Sequence, residues 1–154
     1  MIENFPLVSQ PPGSNSCLPT VIYAVLRCQG RTVSQQEVSQ WCHEDPDGCL
    51  LDLAIAGLRD QEIDVDELPQ DDFDSVRAYV TDEEEPQPVI VTIKTPFVPS
   101  LMDHAVVVLD VRQIEGQEFM AYMDPLTGQV KQEKSTLFQT YWSLAGGQAF
   151  IIYP

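Results

Sequence analysis

Apolar residues keep two different rhythms along this chain. In the first half they recur every three or four positions, and from residue 89 onward they come in short unbroken runs. The helical rhythm begins after a polar, turn-forming stretch, Gln10-Pro11-Pro12-Gly13-Ser14-Asn15-Ser16. Cys17 opens an apolar segment continued by Val21, Ile22, Ala24, Val25 and Leu26, which predicts a first helix stopping near Gly30. Pro19 is compatible with it, because in a first turn its missing N–H has no partner to lose. Ser34-Gln35-Gln36-Glu37 has the form of a capping box and announces a second helix to about Trp41. After the Asp47-Gly48 turn, Leu50, Leu51, Leu53, Ala54, Ile55 and Leu58 are expected to form the apolar face of a third. Ile63 and Val65 alternate with Asp64 and Asp66 as in a short, half-exposed strand, and 71–79 predicts one more short helix. An acidic connector over 81–88 closes this half.

Val89-Ile90-Val91-Thr92-Ile93 is continuous and rich in β-branched residues, which predicts a central strand buried on both faces. Residues 95–102, with two prolines and a serine, are expected to be a loop. A second buried strand follows from His104 to Val111, with the histidine at its start. Glu115-Gly116 turns the chain into Phe119-Met120-Ala121-Tyr122-Met123, which ends at the turn Asp124-Pro125-Leu126-Thr127-Gly128. Val130 begins a short strand, 135–142 predicts a helix, and Ala149-Phe150-Ile151-Ile152-Tyr153 a last strand. Helices followed by antiparallel strands predict an α+β fold, the N-terminal helices packed on a C-terminal sheet. The chain has 154 residues and no internal repeat, so one domain over 1–154 is expected.

Charge narrows the partners. Eight Lys and Arg against 24 Asp and Glu give a formal −16, which repels nucleic-acid phosphate and anionic lipid headgroups. A basic peptide or a basic protein face is the expected partner, while the same charge also serves solubility. The first residues lack a basic, signal-like region, and no apolar run is long enough to span a bilayer. The expectation is a cytoplasmic protein without membrane insertion, whose cysteines Cys17, Cys28, Cys42 and Cys49 are reduced. Cys42, His43 and Cys49 lack a CxxC pair, so neither a metal nor a cofactor is expected, and His43 is assigned to an exposed loop beside Glu44 and Asp45. Nothing in these residues fixes the oligomeric state.

Four positions, Gln10, Cys17, His104 and Asp124, are candidates for chemistry. At a helix N-terminus, unpaired N–H groups and the positive end of the macrodipole favour a thiolate at Cys17, and its own N–H can face a developing oxyanion. His104 heads one strand and Asp124 ends the next, so a hairpin between them places imidazole and carboxylate at one edge of the sheet. The carboxylate would fix the imidazole tautomer and stabilise the imidazolium. Packing the first helix on that sheet would then bring Cys17 to the ring, giving a nucleophile, a base and an orienter. Singly, each has a plainer reading: a core cysteine, a strand-end histidine satisfied by backbone, a turn aspartate, and in Gln10 an ordinary loop residue.

The order Gln10, Cys17, His104, Asp124 resembles the papain-like cysteine peptidases, and within them the bacteriocin-processing, double-glycine peptidases and their stand-alone relatives. The similarity runs through Asp103-His104-Ala105-Val106-Val107-Val108, Asp124-Pro125-Leu126-Thr127-Gly128, the Ser34 and Leu50–Leu58 helices, and Phe138 with Trp142. It implies a papain-like fold and thiol-dependent hydrolysis of a peptide or related amide bond. Cys17 would attack the carbonyl, His104 would move the proton, Asp124 would orient His104, and the Gln10 amide with the Cys17 N–H would bind the oxyanion. Two positions depart from the pattern. Leu18 stands where the family usually has glycine, and the interval from Gln10 to Cys17, 17 − 10 = 7, is one residue longer than expected. A bulge at Pro-Pro-Gly would absorb the extra residue; otherwise Asn15 would have to present its amide. The alternatives are a papain-like module that binds a peptide or protein without turnover, or acyl transfer or deamidation through the same thioester.

Overall fold

The structure, a computed structural model, describes residues 2–96 and 103–154, so most of the loop expected over 95–102 lies outside the described residues. Helices α1 (Cys17–Cys28), α2 (Gln35–Trp41) and α3 (Leu51–Asp60) come first, followed by β1 (Val65–Glu67), α4 (Phe73–Val80), β2 (Val89–Ile93), β3 (His104–Ile114), β4 (Gln117–Asp124), β5 (Gln129–Lys134), α5 (Ser135–Leu144) and β6 (Ala149–Ile152). The strands form one six-stranded sheet in the order β1-β6-β2-β3-β4-β5, and every neighbouring pair is antiparallel. This is the expected α+β architecture.

The unbroken apolar runs have the predicted consequence: all five residues of β2 are buried, because the sheet is covered on both faces. Alternate side chains of each strand enter different cores. Ile90, Ala105, Val107, Met123, Phe150 and Ile152 pack under α1, α2 and α3. Val91, Val106, Met120, Tyr122 and Ile151 pack with Phe73 of α4 and with Phe138 and Trp142 of α5. The Phe73 and Trp142 rings meet at 5.4 Å between centroids, tilted by 57°, and the indole N–H donates to the Gln148 carbonyl at 2.8 Å. The helices therefore lie on both sides of the sheet, not on one.

Local signals explain most boundaries. Ser34 and Glu37 form the reciprocal capping box at the head of α2. Asp72 caps α4 by accepting from the Ser75 N–H. Helix α3 differs from its expected face. Leu50 precedes the helix and is 61% exposed, and Leu53 is exposed too, so the core face consists of Ala54, Ile55, Gly57 and Leu58. Gly57 permits this packing: a Cβ there would stand 1.7 Å from the Trp41 carbonyl oxygen, so α2 and α3 approach backbone to backbone.

Candidate active site

The site forms where α1 meets the end of the sheet between β3 and β4. Cys17 is the first residue of α1, whose N-terminus has no side-chain cap and no acidic residue in its first turn. The Ser16 hydroxyl, the natural candidate for a cap, donates instead to the Glu44 carboxylate. The thiol sulfur of Cys17 accepts from the Ala105 N–H on β3 at 3.4 Å. His104, beside Ala105, begins β3, and Asp124 ends β4.

The β3–β4 hairpin pairs Val107 with Met123, and a bulge between Val108 and Asp110 shifts the register further along. That pairing brings the two residues to the same end of the sheet. His104 Nε2 and Asp124 Oδ1 lie 2.7 Å apart, with only 4% and 5% of each residue exposed. The turn after β4 is tightly built. The Leu126 N–H donates to Asp124 Oδ1 at 3.0 Å and the Gly128 N–H to the Asp124 carbonyl at 2.8 Å. Gly128 has φ +66°, and a Cβ on it would come within 3.0 Å of the Ser9 nitrogen. Residues 8 to 10 therefore run directly over this turn, and the Gln10 N–H donates to the Pro125 carbonyl at 2.7 Å.

Electrostatics follow from these contacts. Burial pushes the Cys17 thiol up, but hydrogen bonds from His104 and the Ala105 N–H, the imidazolium charge and the Leu18 N–H outweigh it and leave it below its ordinary value. Burial disfavours the His104 imidazolium, yet hydrogen bonds to Asp124 and Cys17 and their charges raise it to about 9. Burial also opposes the Asp124 carboxylate, and hydrogen bonds from His104, Lys131 and the Leu126 N–H hold it well below the usual carboxylate range. The three shifts have one sense: a thiolate, an imidazolium and a carboxylate in sequence.

Pro12 and Gly13 occupy the centre of a turn closed by Ser14 N–H to Pro11 C=O at 3.1 Å, with Gly13 at φ +73°. Gln10 is buried, and its Nε2 donates to the Ser14 carbonyl at 2.7 Å, while Oε1 has no partner among the described residues. Asn15 does not take its place, since its amide donates to the Pro46 carbonyl at 3.0 Å. Leu18 is 3% exposed and packs in the core under α1, and it also lines the cleft at Cys17.

A cleft of about 500 Å³ opens at Cys17. One wall carries Cys49, Leu50, Leu51 and Asp52 at the head of α3; the other carries Thr92, Lys94, Asp103 and Gln148. None of these residues stands out in the sequence as a site residue. The exposed Leu50 is the one available signal, since an apolar side chain just outside a helix has no core to enter. Thr92 faces the same side of the sheet as its cross-strand partner Ala105, and its hydroxyl is buried without a partner among the described residues. Lys131, likewise unsignalled, donates to Asp124 Oδ2 at 2.7 Å. Among the described residues no group of three His, Cys, Asp or Glu side chains is arranged to hold a metal ion, and the Cys49 thiol donates to the Cys42 carbonyl at 3.1 Å.

A fold of helices about an antiparallel sheet, with cysteine, histidine and aspartate drawn together at one end, is that of the papain-like cysteine peptidases. The chain belongs to the Peptidase_C39-like family, whose model matches residues 2–150. Among solved structures, the peptidase domain of Streptococcus ComA, a bi-functional ABC transporter involved in a quorum-sensing pathway, is 18% identical with a TM-score of 0.72, over 98% of this chain and 99% of that one. A Bacillus anthracis protein described as a C39-like peptidase is 16% identical with a TM-score of 0.79, over 98% and 95%. A double-glycine-motif protease from an AMS/PCAT transporter, solved with its leader peptide, is 16% identical with a TM-score of 0.64, over 96% and 90%. No curated protein matches the chain.

Proposed function

We propose that this protein hydrolyses a peptide bond through a Cys17 thioester. Cys17 attacks the carbonyl as the thiolate, His104 carries the proton to the leaving amine, and Asp124 holds the ring and its charge. The Cys17 N–H and the remaining N–H of the Gln10 amide are the proposed oxyanion donors. The observation that carries this reading is the buried 2.7 Å His104–Asp124 pair beside a thiol already held in the field of a helix N-terminus.

The substrate is proposed to be a peptide segment with basic character. The chain has a formal charge of −16, and the cleft sets Asp52 and Asp103 against the single cation Lys94. The proposal includes a reducing compartment such as the cytoplasm, because Cys17 must remain a free thiol.

The test is the alkylation rate of Cys17 by iodoacetamide as a function of pH, resolved from Cys28, Cys42 and Cys49 by peptide mass spectrometry. Fast labelling well below the free-thiol value of about 8.5, slowed in His104→Ala, is expected. Cleavage of a fluorogenic peptide library, lost in Cys17→Ala, completes the test. A thiol that labels slowly and ignores His104 would sink the proposal.

A further inference from the structure

We propose that Lys131 is a positioning residue for this reaction: its ammonium fixes the second oxygen of Asp124 and moderates the hold of that carboxylate on the His104 proton. The proposal rests on the reading of His104 and Asp124 as base and orienter.

Asp124 is shared among three donors. Oδ1 takes His104 Nε2 at 2.7 Å and the Leu126 N–H at 3.0 Å, and Oδ2 takes Lys131 Nζ at 2.7 Å. A carboxylate held at one oxygen can still rotate, and one held at both cannot. The β4–β5 register sets Gln129 opposite Asp124 and Lys131 opposite Tyr122, so Lys131 is the diagonal neighbour of Asp124 on one face of the sheet. Diagonal neighbours lie within reach of a long side chain. Lys131 is one of only three lysines in a strongly acidic chain.

The charge has a consequence beyond geometry. A cation on Oδ2 competes with the imidazolium for one negative charge, so His104 gives up its proton more readily to a leaving amine. Cys17 from α1 bears on His104, Tyr122 on β4 lies near Asp124 and Glu133 of β5, and Asp103 and Lys94 meet at the cleft. Beside the imidazolium, the cation on Asp124 is Lys131, whereas Lys94 faces Asp103. A half-exposed ion pair contributes little to stability, so its effect is to be read at His104.

The chain has two histidines, His43 and His104, so both can be followed by NMR titration without substrate or turnover. Assignment comes from His43→Ala. In Lys131→Met the His104 midpoint is expected to rise by about half to one pH unit, as for one nearby cation at an intermediate dielectric. Lys131→Arg keeps the cation and is expected to restore the wild-type midpoint, with His43 constant throughout as the check on folding. Coincident His104 midpoints in wild type and Lys131→Met would overturn the proposal. So would a fall in Lys131→Met, or equal displacement in both variants. This failure is separable from failure of the proposed function. Slow Cys17 labelling with a displaced His104 titration would defeat the peptidase reading and leave the lysine acting on His104. Fast labelling with coincident titrations would do the reverse.

Discussion

Asp124 and Gln10 are both buried and both tied to the same turn, yet their polar atoms are used to different degrees. Each oxygen of Asp124 has a donor. Gln10 has its backbone N–H on Pro125 and one amide N–H on Ser14, while its side-chain oxygen has no partner among the described residues. A buried polar group left unpaired costs about 1–3 kcal/mol, so such a group marks a place where structure has been subordinated to another requirement. The Asp124 side of the site is locked by its donors, whereas the Gln10 side holds one acceptor in reserve, an atom that cannot itself bind an oxyanion. Thr92, with its unpartnered hydroxyl in the cleft, belongs to the second kind.

Breaking the locked side should cost most. Asp124→Asn removes the charge that stabilises imidazolium and lets the ring take the wrong tautomer. The expected loss is on the order of a thousandfold to ten-thousandfold in kcat against the fluorogenic peptides, with the His104 titration falling from about 9 toward its ordinary value. Gln10→Ala strikes the reserve side. It should lower kcat about a hundredfold to a thousandfold while iodoacetamide labelling of Cys17 stays fast, because alkylation forms no oxyanion. Slow labelling in Gln10→Ala would show that Gln10 only braces the loop, and the contrast between the two residues would disappear.

A pH series sharpens the same contrast with a smaller effect. The folded-state value of His104 is raised, from 6.5 to about 9. The stability its charged form contributes is therefore fully present below 6.5 and is lost as pH rises through about 9. Activity that needs the imidazolium proton should hold until the folded-state value of about 9 and then decline, about tenfold per pH unit above it. Chemical denaturation and peptide cleavage measured in parallel should show the two losses; a flat activity profile to pH 10 would contradict the assignment. The smallest effect is expected from Gly128→Ala in the shared turn. Its φ of +66° and the close Ser9 backbone predict a loss of about 1–3 kcal/mol in a denaturant melt. Both Asp124 and Gln10 should then be disturbed at once, which a lowered kcat in the folded variant would register.

Much of this was legible in the residues. The unbroken run from Val89 to Ile93 announced burial on both faces, and the capping box at Ser34 fixed the start of α2. Cys17, His104 and Asp124 were readable because each sits at the end of an element, where the pattern of apolar positions changes. What could not be read depended on register and packing. Lys131 reaches Asp124 across a diagonal that exists only once β4 and β5 are paired, and an edge-strand lysine has an ordinary solvent-facing explanation. Leu50 and Leu53 have helical spacing, but whether a leucine at that spacing faces core or cleft is decided by what α3 packs against. The placement of α4 and α5 on the far face was hidden for the same reason, since an amphipathic stripe does not say which side of a sheet it covers.

The hydrogen bond from Ala105 to Cys17 spans 88 positions of chain, and Asp124 with its partners Leu126 and Lys131 lies later still. During synthesis Cys17 is made early, and everything that would activate it is made late. On the proposed mechanism, a ribosome-bound chain ending before residue 104 lacks both the His104 imidazole and the Asp124 carboxylate that would draw off the Cys17 proton. Contacts of such sequence separation also form slowly. On the proposed mechanism, Cys17 would become reactive only when the last strands close the sheet.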